Sequence, residues 1–301
     1  MRTKIPLFAF CLPLTVWHQA NAAQHTVPLP ILSEEFAFKP TYLSNEDNRL
    51  AALVEPLIAE MRQKFATNPM VRLLASPEGK AGLTFLPFMT FFVNSFSDVN
   101  RMVLPYHDNV ANDPLKTAIN KHCEEDSTHL HLLWEDLLQH QREMQEAGVA
   151  TFIDAVHFLW SDKLYKVREL GYQVSKLAGM ASKPIHRYCM IRVMEEVGNV
   201  FFTTGVGYAL KNGTPSQYLG HDHLALEDGH LQNQEIGEVE EDGNSHDLDA
   251  LAQLFVFSSF ESAADRELAE EIMVATYQLF YDMLECVHEN MWQMNKAVRS
   301  M

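Results

Sequence analysis

"LTFLPFMTFFVNSFSDVNRMVL", residues 83–104, decides the fold. Its apolar character persists far beyond the five or six residues of a typical strand (about 17–20 Å). Phenylalanines at 85, 88, 91 and 92 suit a buried helix, and length arbitrates between helix and strand for a run this apolar. Working outward, the same logic recurs and strict alternation never does. Upstream, Leu50, Leu53, Leu57 and Ile58 repeat at helical spacing in "NEDNRLAALVEPLIAEMRQKFATN", with Ser44 as its N-cap. "SPEGKAG" breaks the chain between the two.

Downstream, "PYHDNVANDP" reads as a loop whose Asp113-Pro114 opens one helix through "LKTAINKHCEEDSTHLHLLWEDLLQHQREMQ", stopped near Gly148. One or two helices follow over 151–181. Ser182 and Pro184 start "IHRYCMIRVMEEVGNVFFTTGVGYALK", which Asn212-Gly213 ends. Thr214-Pro215 then caps a helix containing "YLGHDHLALEDGH", residues 218–230. The acidic, aperiodic "NQEIGEVEEDGNSHD" is a surface loop, and 248–298 holds two more helices divided near "SSFESAAD". The expectation is a single all-α domain of seven or eight helices over 44–301.

Composition narrows the function. The chain has 301 residues, 47% hydrophobic and 21% charged, with a formal net charge of −17. Such a surface repels phosphate backbones, so nucleic acid is not an expected partner. At the N-terminus, "MRTK" precedes the apolar "IPLFAFCLPLTVW" and the small residues Ala20 and Ala22. This charged head, apolar middle and A-x-A site read as a signal peptide over 1–22, followed by an extended arm over 23–43. Export, for example to a periplasm, is the expected destination, with a cytoplasmic location the alternative. The apolar run is too short for stable membrane insertion. Cys11 would leave with the signal, and Cys123, Cys189 and Cys286 contain no CxxC pair and make no disulfide framework.

Chemistry concentrates on three helices. On the 218–230 helix, His223, Glu227 and His230 fall within ~60° of one another, so one stripe presents three metal donors. On "HCEEDSTHLHLLWEDL", Glu124 and His131 share a face, and so do Glu125 and His129. Glu195 and Glu196 lie in the apolar "IRVMEEVGNVFF", where an unpaired carboxylate is costly; Arg192 is placed to pair with one of them. Together these supply three carboxylates and three imidazoles. Oxygen and imidazole donors without thiolate suit iron or manganese better than structural zinc.

These motifs resemble those of the heme-oxygenase-like diiron oxidases and oxygenases, over roughly 83–230. H-x3-E-x2-H at His223, Glu227 and His230 matches the family's last ligand element. E-x2-G-x2-F-F selects Glu195 over Glu196. For the first element, a reading H-x2-E-D-x2-H favours Glu125 and His129, with His122 and Asp126 close by, whereas a separation of seven selects Glu124 and His131. The resemblance implies a heme-oxygenase-like helical bundle and two Fe ions, or Mn, that activate O2 to oxidise a small carboxylate or amine. Asp126, Asp222 and Asp228 would hold the ligand imidazoles by their second nitrogen. Arg101, Arg187 and Arg192 are candidate carboxylate anchors, and the phenylalanines of 85–92 a candidate pocket wall. An external reductant and a homodimer are compatible with it. Heme degradation needs an early proximal histidine, which "EFAFKPTYLSNEDN" lacks. Two alternatives stay open. One is a metal-free thiaminase-type relative using Cys123 or Cys189; the other is an exported interaction or metal-storing protein with a vestigial site.

Overall fold

Short polar residues and prolines start several of the helices. The computed structural model describes residues 49–76, 85–108, 110, 112–146, 157–212, 216–219, 255 and 258–299, all within the unit Leu32–Met301. Eight α-helices occupy these residues: α1 (Leu50–Phe65), α2 (Pro69–Ala75), α3 (Leu86–Met102), α4 (Pro114–Asp126), α5 (Leu130–Glu146), α6 (Tyr165–Met180), α7 (Pro184–Asn212) and α8 (Ala263–Arg299). A 3-10 turn at Asp162–Leu164 precedes α6. Among the described residues there is no strand, only an isolated bridge between Arg49 and Ser259. The described part of the chain is all-α, as the periodicity predicts.

Asp113 caps α4 through Oδ1, which accepts from Leu115 N at 3.1 Å and Lys116 N at 3.2 Å, with Pro114 in the first turn. Asn68 does the same for α2, accepting from Met70 N at 2.9 Å. Each such cap contributes about 1 kcal/mol by satisfying amides that the helix itself leaves open. The expected Ser44 cap lies outside the described residues. Helix α1 begins at Leu50, directly after the extended Arg49, where Leu50 N donates to Ser258 O at 3.0 Å.

The long helix expected over 115–145 is two helices. Ser127, Thr128 and His129 form a turn between α4 and α5. Ser127 Oγ donates to Glu124 O and Thr128 Oγ1 to Glu125 O, each at 2.8 Å. Tandem hydroxyls that bond back to the preceding turn compete with the helical amide pattern. The carbonyl of Ser127, released by the break, accepts from Ser97 Oγ at 2.9 Å and Arg101 Nη2 at 3.1 Å, both on α3.

Helices α7 and α8 form the centre. Every residue from 272 to 281 is buried, so α8 has no polar face there and must be surrounded. It packs along α6 and α7, while α1 and α2 lie against α7 and α3 lies against α6. At the α3–α6 crossing, Gly171 lets the backbones close in: a Cβ there would stand 2.6 Å from Ser95 Oγ. Phe65, Phe85 and Phe88 are fully buried core, each contributing about 1.5–3 kcal/mol. Phe91 instead meets the exposed Trp160 and Tyr172, with ring centroids 5.6 Å apart in both cases.

Candidate metal centre

Helix α4 ends on the residues that matter. His122 and Asp126 are four apart, one helical turn, and so share a face. His122 Nε2 lies 3.3 Å from Asp126 Oδ2 and 3.4 Å from Glu195 Oε1 of α7. One donor atom from each of the three falls within 4.8 Å of the others. All three side chains are buried, His122 completely.

Two carboxylates in one dry place repel each other unless a cation sits with them. Here the imidazole takes that part. Burial alone lowers the His122 pKa, but the charge and hydrogen bonding of Asp126, joined by those of Glu195, outweigh it and hold the ring well above its ordinary value. With His122 protonated the three groups sum to −1. A divalent cation replacing that proton would bring the sum to zero. The donor chemistry also fits iron or manganese: two carboxylates and an imidazole, with no thiolate. Cys123 is adjacent in sequence, but burial pushes its thiol strongly up, so it offers no thiolate.

The neighbouring glutamate has a different fate. Adjacent helical residues point ~100° apart, and Glu196 turns away from the cluster onto two guanidiniums. Arg192 Nη2 meets Glu196 Oε1 at 2.8 Å, and Arg62 Nη1 meets Oε2 at 2.9 Å. Arg62 is steadied by Asn199 Oδ1 at 3.2 Å. Glu196 is thus a neutralised structural carboxylate, and Glu195 faces a histidine and an aspartate.

The cluster opens on a cavity with about 70 Å³ of space available to water centres, enough for several waters. From α3 it takes Met89, Phe92, Val93, Phe96 and Ser97, one stripe at helical spacing. From α7 it takes Met194, Glu195, Val197, Gly198, Phe201 and Phe202, and from α8 Phe280, Met283 and Leu284. Phe65, Leu130 and Tyr218 complete it with Asp126 and His129. Of the anticipated phenylalanine wall, Phe92 serves; Phe85, Phe88 and Phe91 do not line the space.

The expected site residues fall into four groups. Glu195 is brought to His122 and Asp126. His129 is buried and lines the same cavity as Asp126 and Glu195, without joining the three converging donors. Glu125 is half-buried, and the alternates Glu124 and His131 are exposed. His223, Glu227 and His230 lie outside the described residues. So do Asp222, Asp228, Thr214, Pro215 and the signal and arm over 1–43. The pair His122–Asp126 is what sequence reasoning left at the margin. Its signal was present, an i, i+4 pair closing a helix just before two hydroxyl residues.

One structured turn leads toward the 220–230 stretch. Buried Asp136 of α5 accepts from Ser216 Oγ at 2.5 Å, Gln217 N at 2.6 Å and Tyr218 N at 3.0 Å. Ser216 Oγ in turn accepts from Leu219 N at 2.8 Å. Leu219 seats against α7 at Gly205, where a Cβ would come within 2.7 Å of Leu219 Cδ2. Ser216 and Asp136 hold this turn, and the helix expected to follow it lies outside the described residues.

None of the three candidate arginines lines the cavity. Arg101 donates to Ser127 O. Arg187 donates to Ala181 O and Leu104 O and covers the Tyr106 ring at 3.7 Å. Arg192 is held by Glu196. Cys123, Cys189 and Cys286 are free, buried thiols, and burial raises the pKa of each. No described helix is long and apolar enough to cross a membrane. No protein-family model matches the sequence, and no curated protein does either.

Proposed function

We propose that the chain is a non-haem, carboxylate- and histidine-bound diiron oxidase or oxygenase acting on a small organic molecule. One observation carries this: a fully buried His122–Asp126–Glu195 group opens directly on an apolar cavity. A storage or vestigial site has no use for such a space beside its donors. The buried, raised thiols of Cys123 and Cys189 give no support to cysteine nucleophilic catalysis.

His122, Asp126 and Glu195 would hold one cation. A second would draw on the His129 side of the cavity and on His223, Glu227 and His230. Bound iron, or manganese, supplies O2 activation and electron transfer that side chains cannot perform. The protein's own part is positional. The i, i+4 pair on α4 and the single glutamate of α7 fix two elements of the donor set on rigid helices. Phe92, Phe96, Phe201 and Phe202 keep water away from the donors and from a substrate beside them.

Anaerobic reconstitution with Fe(II), followed by iron analysis and oxygen consumption, tests this. Near two irons per chain are expected, dropping in Asp126→Asn and Glu195→Gln, with oxygen uptake lost in both. Iron near zero in the unaltered chain refutes the proposal.

A further inference from the structure

We infer that the cavity beside His122, Asp126 and Glu195 takes a neutral, largely hydrocarbon ligand of about ten non-hydrogen atoms, and neither a carboxylate nor an amine. As a substrate class it rests on the metal-dependent reading above; as a binding site it stands on the walls alone.

Charge is the first constraint. An organic anion in a dry site requires a facing cation, and a divalent ion held by His122, Asp126 and Glu195 is already balanced by the two carboxylates. Among the described residues, no Lys or Arg lines the cavity. Of the cations near it in sequence, Arg62, Lys64, Arg101, Arg187 and Arg192 are turned to other partners. Nor can the chain leading away from Tyr218 supply one. From Lys211 the sequence runs to Arg266 without a Lys or Arg, while it carries Asp222, Glu227, Asp228 and further acids. By composition that stretch holds acids and histidines and no basic residue.

An ammonium fares little better. Its carboxylate partners in the cavity would be Asp126 and Glu195, which already share His122. Taking one of them would put the amine in competition with His122, which lies 3.3 Å from Asp126 and 3.4 Å from Glu195. Ser97, whose hydroxyl proton goes to Ser127 O, offers an ammonium only neutral lone pairs and no counter-charge.

The remaining surface selects for shape and polarisability. Phe92 meets Phe280 edge-on at 5.4 Å and 82°, and Phe202 meets Tyr218 at 5.3 Å and 81°. These geometries leave ring faces and edges for a ligand to stack on or abut. Met89, Met194 and Met283 add flexible thioethers that adapt to an irregular outline. With about 70 Å³ open to water centres and about 10–15 Å³ needed for each water, the space suits one six-membered ring with a short chain.

Three probes of matched size separate the classes: propylbenzene, 3-phenylpropionate and 3-phenylpropylamine. Each is titrated into the full chain, metal-free and anaerobically iron-loaded, with binding read by ligand-observed NMR and thermal shift. Propylbenzene is expected to bind both forms about tenfold or more tightly than either charged probe. Val93→Trp and the milder Leu284→Phe both fill the cavity and should abolish binding while the helical circular dichroism is kept. The exposed Leu138→Ala should leave it unchanged. Preference for phenylpropionate or phenylpropylamine in either form overturns the inference, as does propylbenzene binding that survives in both filled variants. Iron binding without propylbenzene binding overturns the ligand class and leaves the metal reading intact. Propylbenzene binding without iron supports the ligand class and removes the metal.

Discussion

Glu195 and Glu196 are neighbours in sequence and both buried, so exchanging each for glutamine separates metal chemistry from stability. In Glu196→Gln, Arg192 loses a partner at 2.8 Å with its own side chain only 11% exposed. Stranding a buried guanidinium costs about 3–5 kcal/mol. The amide can still accept one hydrogen bond, which returns roughly 1 kcal/mol. The Arg62 contact, at 2.9 Å with Arg62 51% exposed, is screened by solvent and adds no more than about 1 kcal/mol. The net loss is about 3 kcal/mol, or a fall of roughly 5–10 °C in Tm for a domain of this size. In Glu195→Gln the effects oppose: His122 loses part of its counter-charge, yet Asp126 is relieved of a second buried carboxylate. Metal-free stability should therefore move by about 1 kcal/mol or less, while iron binding is lost. Calorimetry of the metal-free proteins and iron analysis of the reconstituted ones read the two effects apart. If Glu196→Gln lost iron with its Tm unchanged, or Glu195→Gln melted as early as Glu196→Gln, the division of labour between these two carboxylates would be wrong.

Two other outcomes follow from the geometry. His186 is buried, and burial lowers its pKa against the opposing pull of the Asp265 carbonyl and carboxylate, with Lys183 beside them. A histidine whose folded pKa lies below its unfolded value contributes its stability in full above about pH 6.5 and loses it as pH falls toward the folded value, because the unfolded chain takes up the proton first. Urea melts from pH 7.5 to 5 should accordingly decline less steeply in His186→Gln; an unchanged slope rejects this. Asp136→Ala strips three donors from one carboxylate, and buried donors left open cost about 1–3 kcal/mol each. Hydrogen exchange at Gln217, Tyr218 and Leu219 should rise at least tenfold, and protection kept at those amides would contradict the role of Asp136 in holding the turn.

What was legible in the sequence was whatever depended on local spacing. The 83–104 run read as a helix because no strand is that long, and Asp113-Pro114 marked a helix start because an acceptor and a missing amide suit one. That Arg192 pairs with one of the two glutamates was readable, and the structure gives it Glu196, one turn along the same helix. Arg62, which completes that site from α1, was not, since nothing local ties residues 134 apart in sequence. The break at Ser127 and Thr128 escaped for a similar reason. Each hydroxyl competes only weakly with the helix, and the partners that take the freed carbonyl, Ser97 and Arg101, belong to α3. Read as unbroken, α4 and α5 put Glu125 with His129 on one face and Glu124 with His131 on another, with the first pair favoured. The break leaves His122 and Asp126 as the last ordered i, i+4 pair before the turn.

That break also joins the donors to the cavity wall. Ser97 lines the cavity and donates to Ser127 O, the residue directly after Asp126. Helix α3 is therefore registered against the end of α4 by the same carbonyl that the break released, with Arg101 as a second donor. On α7 the coupling is covalent: Glu195 faces His122, Gly198 lines the cavity one turn later, and Phe201 one turn after that. A helix of this kind is stiff over two turns, so the glutamate cannot shift without carrying the aromatic wall with it. Donor positions and ligand space are consequently not independent features that happen to adjoin. A substitution that moves α3 relative to α4, such as Ser97→Val, alters both together, whereas one confined to the exposed face of α5 alters neither.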